Sequence, residues 1–328
     1  MEKTYDVTAL GELLMDMTMN GISEQGNALY EANPGGAPCN VLAMLNKLGH
    51  KTAFIGKVGD DIFGHELKRV LNEVKIDPKG LIIDPDVRTT LAFVKTFEDG
   101  DRDFSFYRNP GADMMLTKED VDSSMIRASK IFHFGTLSMT DEPVRSATLF
   151  ALGEAKSAGD LISFDPNIRE PLWKSMDEAR AQVNKGLEYA DILKISDNEI
   201  EWLTGESDYT KGAEWILERY KVKLITVSLG KNGSLAFYRK DPEEPHYIKV
   251  EAAPFLRKDT IETTGAGDTF GGCILHFILE KGLGNLSKSD LKEMLTFANA
   301  AASIITTRRG ALRVMPDEGE IRKLINQP

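Results

Sequence analysis

The sequence has few cysteines, no long unbroken apolar segment and no apolar stretch near its N-terminus. These shortages argue against a disulfide-rich protein, a membrane-spanning protein and a protein with a signal peptide. Only two cysteines occur in 328 residues, Cys39 and Cys273, with no metal-ligand spacing between them. They are expected to be buried free thiols in a reducing, cytoplasmic compartment. No stretch approaches the roughly 18 apolar residues that a membrane span needs. The N-terminus has no apolar segment behind a basic start, so no signal peptide is expected.

Clustered basic residues are also scarce. Acidic residues number 51 and basic residues 40, which gives a net charge of −11, and the longest basic cluster is Arg308-Arg309. A protein that binds nucleic acid usually carries a basic stripe, so no nucleic-acid partner is expected. An anionic ligand would have to be held by helix N-termini and single basic side chains. The five histidines have no partner at ligand spacing and are predicted to be structural or surface residues: His50, His65, His133, His246 and His276.

What the sequence does contain is a regular alternation of short apolar runs and longer amphipathic windows. This alternation predicts an α/β fold with a mostly parallel sheet and helices on both faces. Ligand sites in such sheets lie at the carboxyl ends of the strands. Strands are predicted at 6–10, 52–58, 131–134, 161–164, 192–195 and 224–228, with an antiparallel pair at 234–238 and 246–250. Helices are predicted at 38–48, 62–74, 142–156, 178–189, 211–220, 265–280 and 291–307.

Two segments interrupt the alternation. Residues 13–30 show no helical pattern, and residues 89–108 are typical of a hairpin whose turn contains Asp99-Gly100. Together they predict a small β-lid above the sheet, with an edge hairpin of no function as the alternative. The chain is predicted to be a single domain, 1–328, with lid segments at about 12–34 and 88–110. An exposed apolar lid face would pair two subunits into a homodimer.

The most informative segment runs from Glu262 through Thr263, Thr264, Gly265, Ala266, Gly267 and Asp268 to Phe270. Glycines that open a helix leave unpaired backbone amides pointing outward, and these amides bind anions. An acid in the first helical turn is also common for purely structural reasons. Phosphoryl transfer needs positioning, charge neutralisation and a base for the attacking hydroxyl. The segment therefore predicts Asp268 as the base, with Gly265, Ala266 and Gly267 as the anion hole.

This segment, TTGAGDTF, resembles the C-terminal signature of the ribokinase-like (PfkB-type) carbohydrate kinases. Residues 35–41, GGAPCNV, resemble the N-terminal signature of the same family. The resemblance implies a three-layer αβα ribokinase-like fold with a β-lid, Mg-ATP as phosphoryl donor and a sugar as acceptor. Residues 106–113 and 165–169 are most similar to the fructokinases of this family, so fructose is the first sugar expected.

The resemblance also implies roles for individual residues. The acceptor pocket would be lined by Asp16, Gly35, Gly36, Asn40, Phe106, Arg108 and Arg169. ATP would be bound by Asn167, Lys194, Ser228, Gly230, Gly233 and Asn299, together with Gly265 and Gly267. Glu199 would face magnesium through water, and Glu262 would bind potassium. Simpler alternatives are a capping-box role for Glu199, a turn-capping role for Asp165 and a surface charge at Arg108.

Two alternatives to fructose phosphorylation stay open on the sequence. Two arginines near the acceptor would also suit a carboxylate, because the guanidinium group binds carboxylates in a bidentate manner. A 2-keto-3-deoxygluconate kinase is therefore the nearest rival, ahead of a ribokinase or a nucleoside kinase. A non-catalytic regulatory homologue is the remaining alternative, although such a protein would be expected to lose Asp268 or the glycines around it.

Overall fold

The computed structural model describes residues 3–96 and 102–327, which form thirteen strands and ten α-helices in these ranges. The strands are β1 (Tyr5–Leu10), β2 (Leu14–Ile22), β3 (Ala28–Gly35), β4 (Thr52–Gly59), β5 (Ile76–Asp84), β6 (Leu91–Thr96), β7 (Arg102–Tyr107), β8 (Ser129–Gly135), β9 (Leu161–Asp165), β10 (Ile192–Ser196), β11 (Leu224–Ser228), β12 (Ser234–Tyr238) and β13 (Ile248–Ala252). The helices are α1 (Ala37–Lys47), α2 (Ile62–Glu73), α3 (Ser123–Arg127), α4 (Val144–Ala158), α5 (Met176–Leu187), α6 (Asp197–Thr204), α7 (Tyr209–Arg219), α8 (Ala266–Lys281), α9 (Lys288–Ile305) and α10 (Glu318–Ile325).

Nine strands form the main sheet, in the order β13-β12-β11-β10-β9-β8-β1-β4-β5. The pairs from β11 through β5 are all parallel, and β12 and β13 are antiparallel to their neighbours. One apolar core lies between the sheet and α1, α2, α8, α9 and α10, and the other lies between the sheet and α3 to α7. The predicted three-layer αβα architecture with a mostly parallel sheet is confirmed.

A second sheet of four strands, in the order β3-β2-β6-β7, is built from the two segments that interrupt the alternation. Strands β2 and β3 are antiparallel, β2 and β6 are parallel, and β6 and β7 pair from Leu91 opposite Tyr107 to Thr96 opposite Arg102. The predicted lid sheet is therefore present. The Asp99-Gly100 turn that was predicted to close the hairpin lies outside the described residues.

Several elements were not predicted from the sequence, and each has a weak local pattern. Strand β5 contains Asp77, Pro78, Lys79 and Gly80, which break the apolar run, but β5 lies at the sheet edge, where proline is tolerated. Helices α3, α6 and α10 span only five to eight residues and are too short for a clear helical period.

Two expectations about composition can be compared with the fold. Both cysteines are free and buried, as predicted, one in α1 and the other in α8. Burial raises the pKa of both thiols well above the ordinary value, so neither is a reactive thiolate at neutral pH. Of the helices in residues 3–96 and 102–327, none combines the length and apolar content needed to cross a membrane.

Candidate active site

Two cavities of about 490 Å³ each open near the carboxyl ends of the parallel strands. The acceptor cavity, as we call it, is lined by Glu12, Leu14, Asp16, Gly36, Ala37, Asn40, Val94, Phe106, Leu137, Asn167, Arg169, Lys194, Thr263, Thr264, Gly265, Gly267 and Asp268. The donor cavity is lined by Ser228, Gly230, Lys231, Gly233, Pro254, Phe255, Leu256, Arg257, Thr260, Thr263, Ala266, Gly267, Phe270, Asn299, Ala302, Ser303 and Thr306. Thr263 and Gly267 line both cavities, which therefore meet where α8 begins.

The start of α8 has the geometry of an anion-binding site. Gly265 precedes the helix with a φ of 74°, a left-handed conformation that favours glycine. A Cβ at Gly265 would lie 2.8 Å from the Cβ of Ala311. A Cβ at Gly267 would lie 3.1 Å from Lys194 Nζ, so this glycine lets the ammonium group approach the helix. The amides of a first helical turn have no acceptor within the helix and stabilise negative charge there.

Asp268 lies in this first turn and faces the acceptor cavity. Its Oδ2 accepts a hydrogen bond of 2.7 Å from Asn40 Nδ2, although the two residues are 228 positions apart in the chain. Burial raises the pKa of Asp268, while the Asn40 hydrogen bond and the positive charges of Lys194 and Arg169 oppose that rise. The result is a more basic carboxylate than an exposed aspartate, held beside a positive environment.

Lys194 is the centre of a buried charge cluster next to Asp268. Its Nζ lies 3.0 Å from Oδ2 of Asp165. Burial alone would lower the pKa of Lys194, but the charges of Asp165, Glu199 and Asp268 raise it, so the lysine stays protonated. Burial, with help from the neighbouring carboxylates, raises the pKa of Asp165. Asp165 therefore forms an ion pair with Lys194, which the alternative interpretation of Asp165 as a simple turn cap did not include.

The glycine pair at the start of α1 has a physical reason at each position. Gly36 has a φ of 124°, and a Cβ there would lie 2.4 Å from the carbonyl oxygen of Glu12. A Cβ at Gly35 would lie 2.3 Å from Oδ2 of Asp16, so the glycine makes room for that carboxylate. Gly35 itself does not line the acceptor cavity, whereas Gly36 does. The Oε1 atom of Glu12 accepts a 2.9 Å hydrogen bond from the backbone amide of Ala37 and so ties the helix start in place.

Asn40 has one engaged and one unengaged polar atom. Its Nδ2 binds Asp268, but its Oδ1 is buried and has no hydrogen-bond partner among the described residues. A buried polar atom without a partner is costly, and a ligand hydroxyl in the acceptor cavity would satisfy it. This arrangement favours an acceptor that carries hydroxyl groups.

Arg108, which was predicted to line the acceptor pocket, is not among the residues that line the acceptor cavity. Its guanidinium group is buried and bonds to Asp113 Oδ2 at 2.7 Å through Nε, to Thr140 Oγ1 at 3.0 Å and to the Leu137 carbonyl at 2.8 Å. Arg108 is also not a surface charge, which was the alternative. Phe106 does line the cavity, as predicted, and so does Arg169.

Glu199 lies outside the lining of both cavities. Its Oε2 accepts from the Ser196 amide at 2.9 Å, and its Oε1 accepts from the Ile168 amide at 2.8 Å. With the Ser196 side chain bound in return to the Glu199 amide, these bonds form a capping box at the start of α6. The capping-box interpretation is therefore confirmed, and a water-mediated role toward magnesium stays a prediction.

The residues predicted to bind ATP divide between the cavities. Ser228, Gly230, Gly233 and Asn299 line the donor cavity, whereas Asn167 and Lys194 line the acceptor cavity close to the junction. The apolar part of the donor cavity was missed from the sequence: Phe255, Leu256, Phe270 and Ala302. Phe255 and Leu256 lie in residues 253–264, which follow no helical or strand period, so no periodic signal could have placed them. Phe270 and Ala302 lie in α8 and α9, where their apolar character indicated only a core position.

Glu262 joins two chain segments behind the anion-binding turn. Its Oε1 accepts a 2.9 Å hydrogen bond from the Gly310 amide, and its own amide donates to the Thr306 carbonyl at 3.2 Å. The segments that the potassium prediction required to be close are therefore adjacent, and the ion itself stays a prediction.

A carboxylate and a positive helix end at the junction of two cavities suit the transfer of an anionic group between two bound ligands. Residues 5–318 match the model of the pfkB family of carbohydrate kinases. The chain belongs to the pfkB family of carbohydrate kinases.

Individual relatives agree with this family. Probable fructokinase-2 of Arabidopsis thaliana is 42% identical over 316 residues, which cover 96% of this chain and 94% of that protein. Among solved structures, a fructokinase from Xylella fastidiosa with bound ATP has a TM-score of 0.87 and 28% identity, over 98% of both chains. A fructokinase from Vibrio cholerae O395, in a form with fructose, ADP and calcium ion bound, has a TM-score of 0.87 and 29% identity, covering 99% of this chain and 100% of that one.

Proposed function

We propose that the protein is an ATP-dependent fructokinase that converts fructose and ATP to fructose 6-phosphate and ADP. The observation that carries the proposal is the position of Asp268, hydrogen-bonded to Asn40 where the two cavities meet. The similarity to fructokinases over nearly the whole chain supports fructose as the acceptor.

In the proposed reaction, the acceptor cavity holds the sugar with one hydroxyl next to Asp268. The carboxylate takes the hydroxyl proton as the sugar oxygen bonds to the γ-phosphorus of ATP and the bond to the bridging oxygen of ADP breaks. The first-turn amides of α8, at Gly267 and Asp268, stabilise charge on the transferring group. The Ala266 amide, which was predicted to take part in the anion hole, instead donates to the Thr263 carbonyl at 3.2 Å. Lys194, whose Nζ approaches Gly267, adds a positive charge at the same junction.

The charges of the acceptor cavity favour a neutral sugar over a keto-acid sugar. Glu12, Asp16 and Asp268 line the cavity, against Arg169 and Lys194 as its basic residues. Since Arg108 is bound elsewhere, the pair of arginines that would hold a carboxylate is missing from the lining formed by the described residues. A 2-keto-3-deoxygluconate acceptor would therefore bring its carboxylate close to Asp16 and Asp268 and to Glu12, whose pKa burial raises to about 7. Lys194 is already paired with Asp165, which leaves one guanidinium group, that of Arg169, to compensate.

The donor is proposed to be Mg-ATP in the donor cavity, with the adenine against the apolar side near Phe255 and Asn299. The Nδ2 of Asn299 donates to the Ala252 and Ala253 carbonyls at 3.3 and 3.0 Å, which fixes this wall of the cavity. A potassium ion near Glu262 is a further part of the proposal, and it rests on the bond between Glu262 and Gly310. Replacement of potassium by sodium or choline in the assay buffer tests it, and equal rates in all three would remove this part.

The lid sheet is proposed to close on the sugar and to join two subunits. Val94 and Phe106 already line the acceptor cavity from β6 and β7, so movement of the lid would change the access of water to the sugar. The other face exposes apolar side chains, with Ile22 58% and Tyr107 67% exposed. A second copy of the chain is the proposed occupant. Light scattering at micromolar concentration should give a dimer, and a monomer would refute this part alone.

A cytoplasmic location is proposed on the two buried cysteines, which stay free in the structure. Free thiols are typical of proteins that fold in a reducing compartment. Cell fractionation tests this, and recovery in an oxidising compartment would refute it.

The proposed activity is tested by coupled ADP release with Mg-ATP and a panel of fructose, 2-keto-3-deoxygluconate, ribose, glucose, mannose and adenosine. Fructose should give the highest kcat/KM, and Asp268→Asn should lower kcat by about 10²- to 10⁴-fold, because it removes the base. A higher kcat/KM for another sugar would refute fructose but keep the kinase. Full activity of Asp268→Asn would refute the mechanism, and no turnover on any sugar would favour a non-catalytic homologue.

A further inference from the structure

A cluster of metal-ligating side chains lies at the end of the molecule away from the cavities. His50 follows α1, and His276 and Glu280 lie one turn apart in α8. The Nε2 atom of His50 is 2.8 Å from the Nδ1 atom of His276. One ring nitrogen of each histidine and a carboxylate oxygen of Glu280 all lie within 4.8 Å of one another. Among residues 3–96 and 102–327, this is the one group of at least three histidine, cysteine or acidic side chains whose ligand atoms come this close together.

The outer surroundings of the two rings match those of known metal sites. The Nδ1 atom of His50 lies 3.7 Å from Oδ2 of Asp6, and Asp6 is itself fixed by Lys130 and by the Lys51 amide. At this distance the carboxylate attracts the Nδ1–H of His50 by its charge and not through a hydrogen bond, and the attraction favours the tautomer whose Nε2 is free to ligate a metal. The ring of His276 is packed against Phe277 and Phe297, with centroids 5.5 and 5.9 Å apart.

The spacing of the nitrogens is close to what a tetrahedral metal ion requires. With metal–nitrogen bonds of about 2.0–2.1 Å, two tetrahedral ligands lie about 3.3 Å apart. The two nitrogens now share a hydrogen bond of 2.8 Å, so a metal ion would displace the shared proton and the nitrogens would separate by about 0.5 Å, a movement that a side-chain rotation supplies. Glu280 is exposed, so the ion would have a route from solvent and a place for a water ligand.

The local electrostatics also favour a cation. His50 lies just beyond the C-terminal end of α1, and Glu280 lies in the last turn of α8, so two negative helix ends converge on the cluster. The charged groups that act on the rings are Asp6, Glu280, Glu318, Lys130 and Arg322.

We propose that His50, His276 and Glu280 form a binding site for one divalent transition-metal ion such as Zn²⁺, with Asp6 orienting His50. Imidazole ligands and a single carboxylate favour Zn²⁺ over Mg²⁺ or Ca²⁺, which prefer sets of oxygen ligands. The site is distinct from the active site, because α8 rises about 12 Å between Asp268 and His276. The ion would join the C-terminal ends of the two helices whose first turns carry Asn40 and Asp268, and so hold these helices together.

The test uses the full chain, dialysed against EDTA, without nucleotide or sugar. Zn²⁺ binding is measured by calorimetry, and Co²⁺ binding by the visible absorption of a tetrahedral site. The midpoint of thermal unfolding is measured with and without ZnCl₂. The variants are His276→Asn, His50→Asn and the exposed Glu280→Gln, together with Asp6→Asn. His65→Asn is the matched control, because His65 is another histidine with a carboxylate partner, 2.8 Å from Asp60, and lies outside the cluster.

The proposal expects one Zn²⁺ per chain, a rise in the thermal midpoint and a tetrahedral Co²⁺ spectrum in the parent protein and in His65→Asn. Each ligand variant should lose the Co²⁺ spectrum, and Asp6→Asn should weaken the affinity by about 10- to 100-fold. Because Glu280 is exposed, Glu280→Gln should fold normally, which keeps the test valid if a histidine variant does not. Equal Zn²⁺ affinity in the parent and Glu280→Gln, or no binding at micromolar Zn²⁺, would overturn the proposal.

Discussion

The sharpest prediction concerns the hydrogen bond between Asn40 and Asp268. Asn40→Leu removes the donor that lies 2.7 Å from Oδ2 of Asp268 and replaces it with an apolar side chain of similar size. Burial already raises the pKa of Asp268, and Asn40 is the first of the groups that oppose that rise, ahead of Lys194 and Arg169. Removing the donor should therefore make the carboxylate harder to ionise.

The size of the effect follows from the strength of such bonds. A hydrogen bond to a charged group contributes about 1.5–3 kcal/mol. A tenfold change in an equilibrium constant corresponds to about 1.4 kcal/mol, so the acid limb of the rate profile should move upward by about one to two pH units. The base must be ionised to act, so the variant should lose most activity at low pH and recover part of it as the pH rises.

The measurement is kcat/KM for the sugar from pH 5 to pH 9, with Mg-ATP saturating throughout. Asn72→Ala, in which an exposed asparagine of α2 loses its bond to the Lys68 carbonyl, serves as a control and should keep the parent profile. An acid limb that stays at the same pH in Asn40→Leu, or that moves downward, would refute the reasoning. In that case Asn40 would act on the sugar alone and not on the ionisation of Asp268.

Three further predictions concern packing and buried charge. Gly35→Ala places a Cβ 2.3 Å from Asp16 Oδ2, so KM for the sugar should rise about tenfold or more in saturation curves, and an unchanged KM would separate Asp16 from sugar binding. Arg108→Met leaves Asp113 buried without its partner and should lower the free energy of unfolding by about 3–5 kcal/mol in urea, whereas a loss below about 1 kcal/mol would contradict a buried pair. Burial lowers the pKa of His133 to about 3, so the folded protein keeps this ring neutral while the unfolded chain protonates it below about pH 6.5. The stability that comes from neutral His133 is therefore complete above pH 6.5 and is lost as the pH falls toward 3. The unfolding free energy of the parent relative to that of His133→Gln should fall by about 1.4 kcal/mol per pH unit between pH 6 and 4. Parallel curves of unfolding free energy against pH for the two proteins would contradict this prediction.

The sequence predicted most of the main sheet because its parallel strands are buried on both faces and are almost entirely apolar. Strand β11, for example, was placed at its observed bounds, Leu224–Ser228. Where polar residues, proline and glycine interrupt the pattern, as at 77–80 in β5, the strand was missed. Its pairing with β4 depends on the neighbouring strand more than on its own sequence, so local propensity could not have placed it.

The candidate site was predictable where function depends on backbone geometry within one short segment. Gly265, Gly267 and Asp268 share a single helix start, and glycines at such a turn are visible in the sequence. The role of Arg108 was not predictable in this way. Its partners Thr140 and the Leu137 carbonyl follow the next strand, and only the folded chain brings them to the guanidinium group.

The histidines show the same limit more strongly. His50 and His276 are 226 positions apart, so no local spacing relates them, and the prediction of structural or surface histidines did not foresee that these two rings are hydrogen-bonded. The spacing of His276 and Glu280 is one helical turn and was a visible signal. The spacing of His276 and Glu280 became informative only once α1 was known to lie beside α8, because two ligands on one helix need a third ligand, here His50, from another element.

The pairing of α1 with α8 also explains why two signatures far apart in the chain act as one site. Both helices begin near the carboxyl ends of the parallel strands, with Asn40 and Asp268 in or next to their first turns. The positive ends of both helices favour an ionised Asp268, whereas burial favours its protonated form. A base for phosphoryl transfer needs both influences, because burial makes the carboxylate more basic and the helix ends stabilise its ionised form. The fold supplies this balance through the position of two helix starts, and α1 contributes to it as directly as α8, which carries the base.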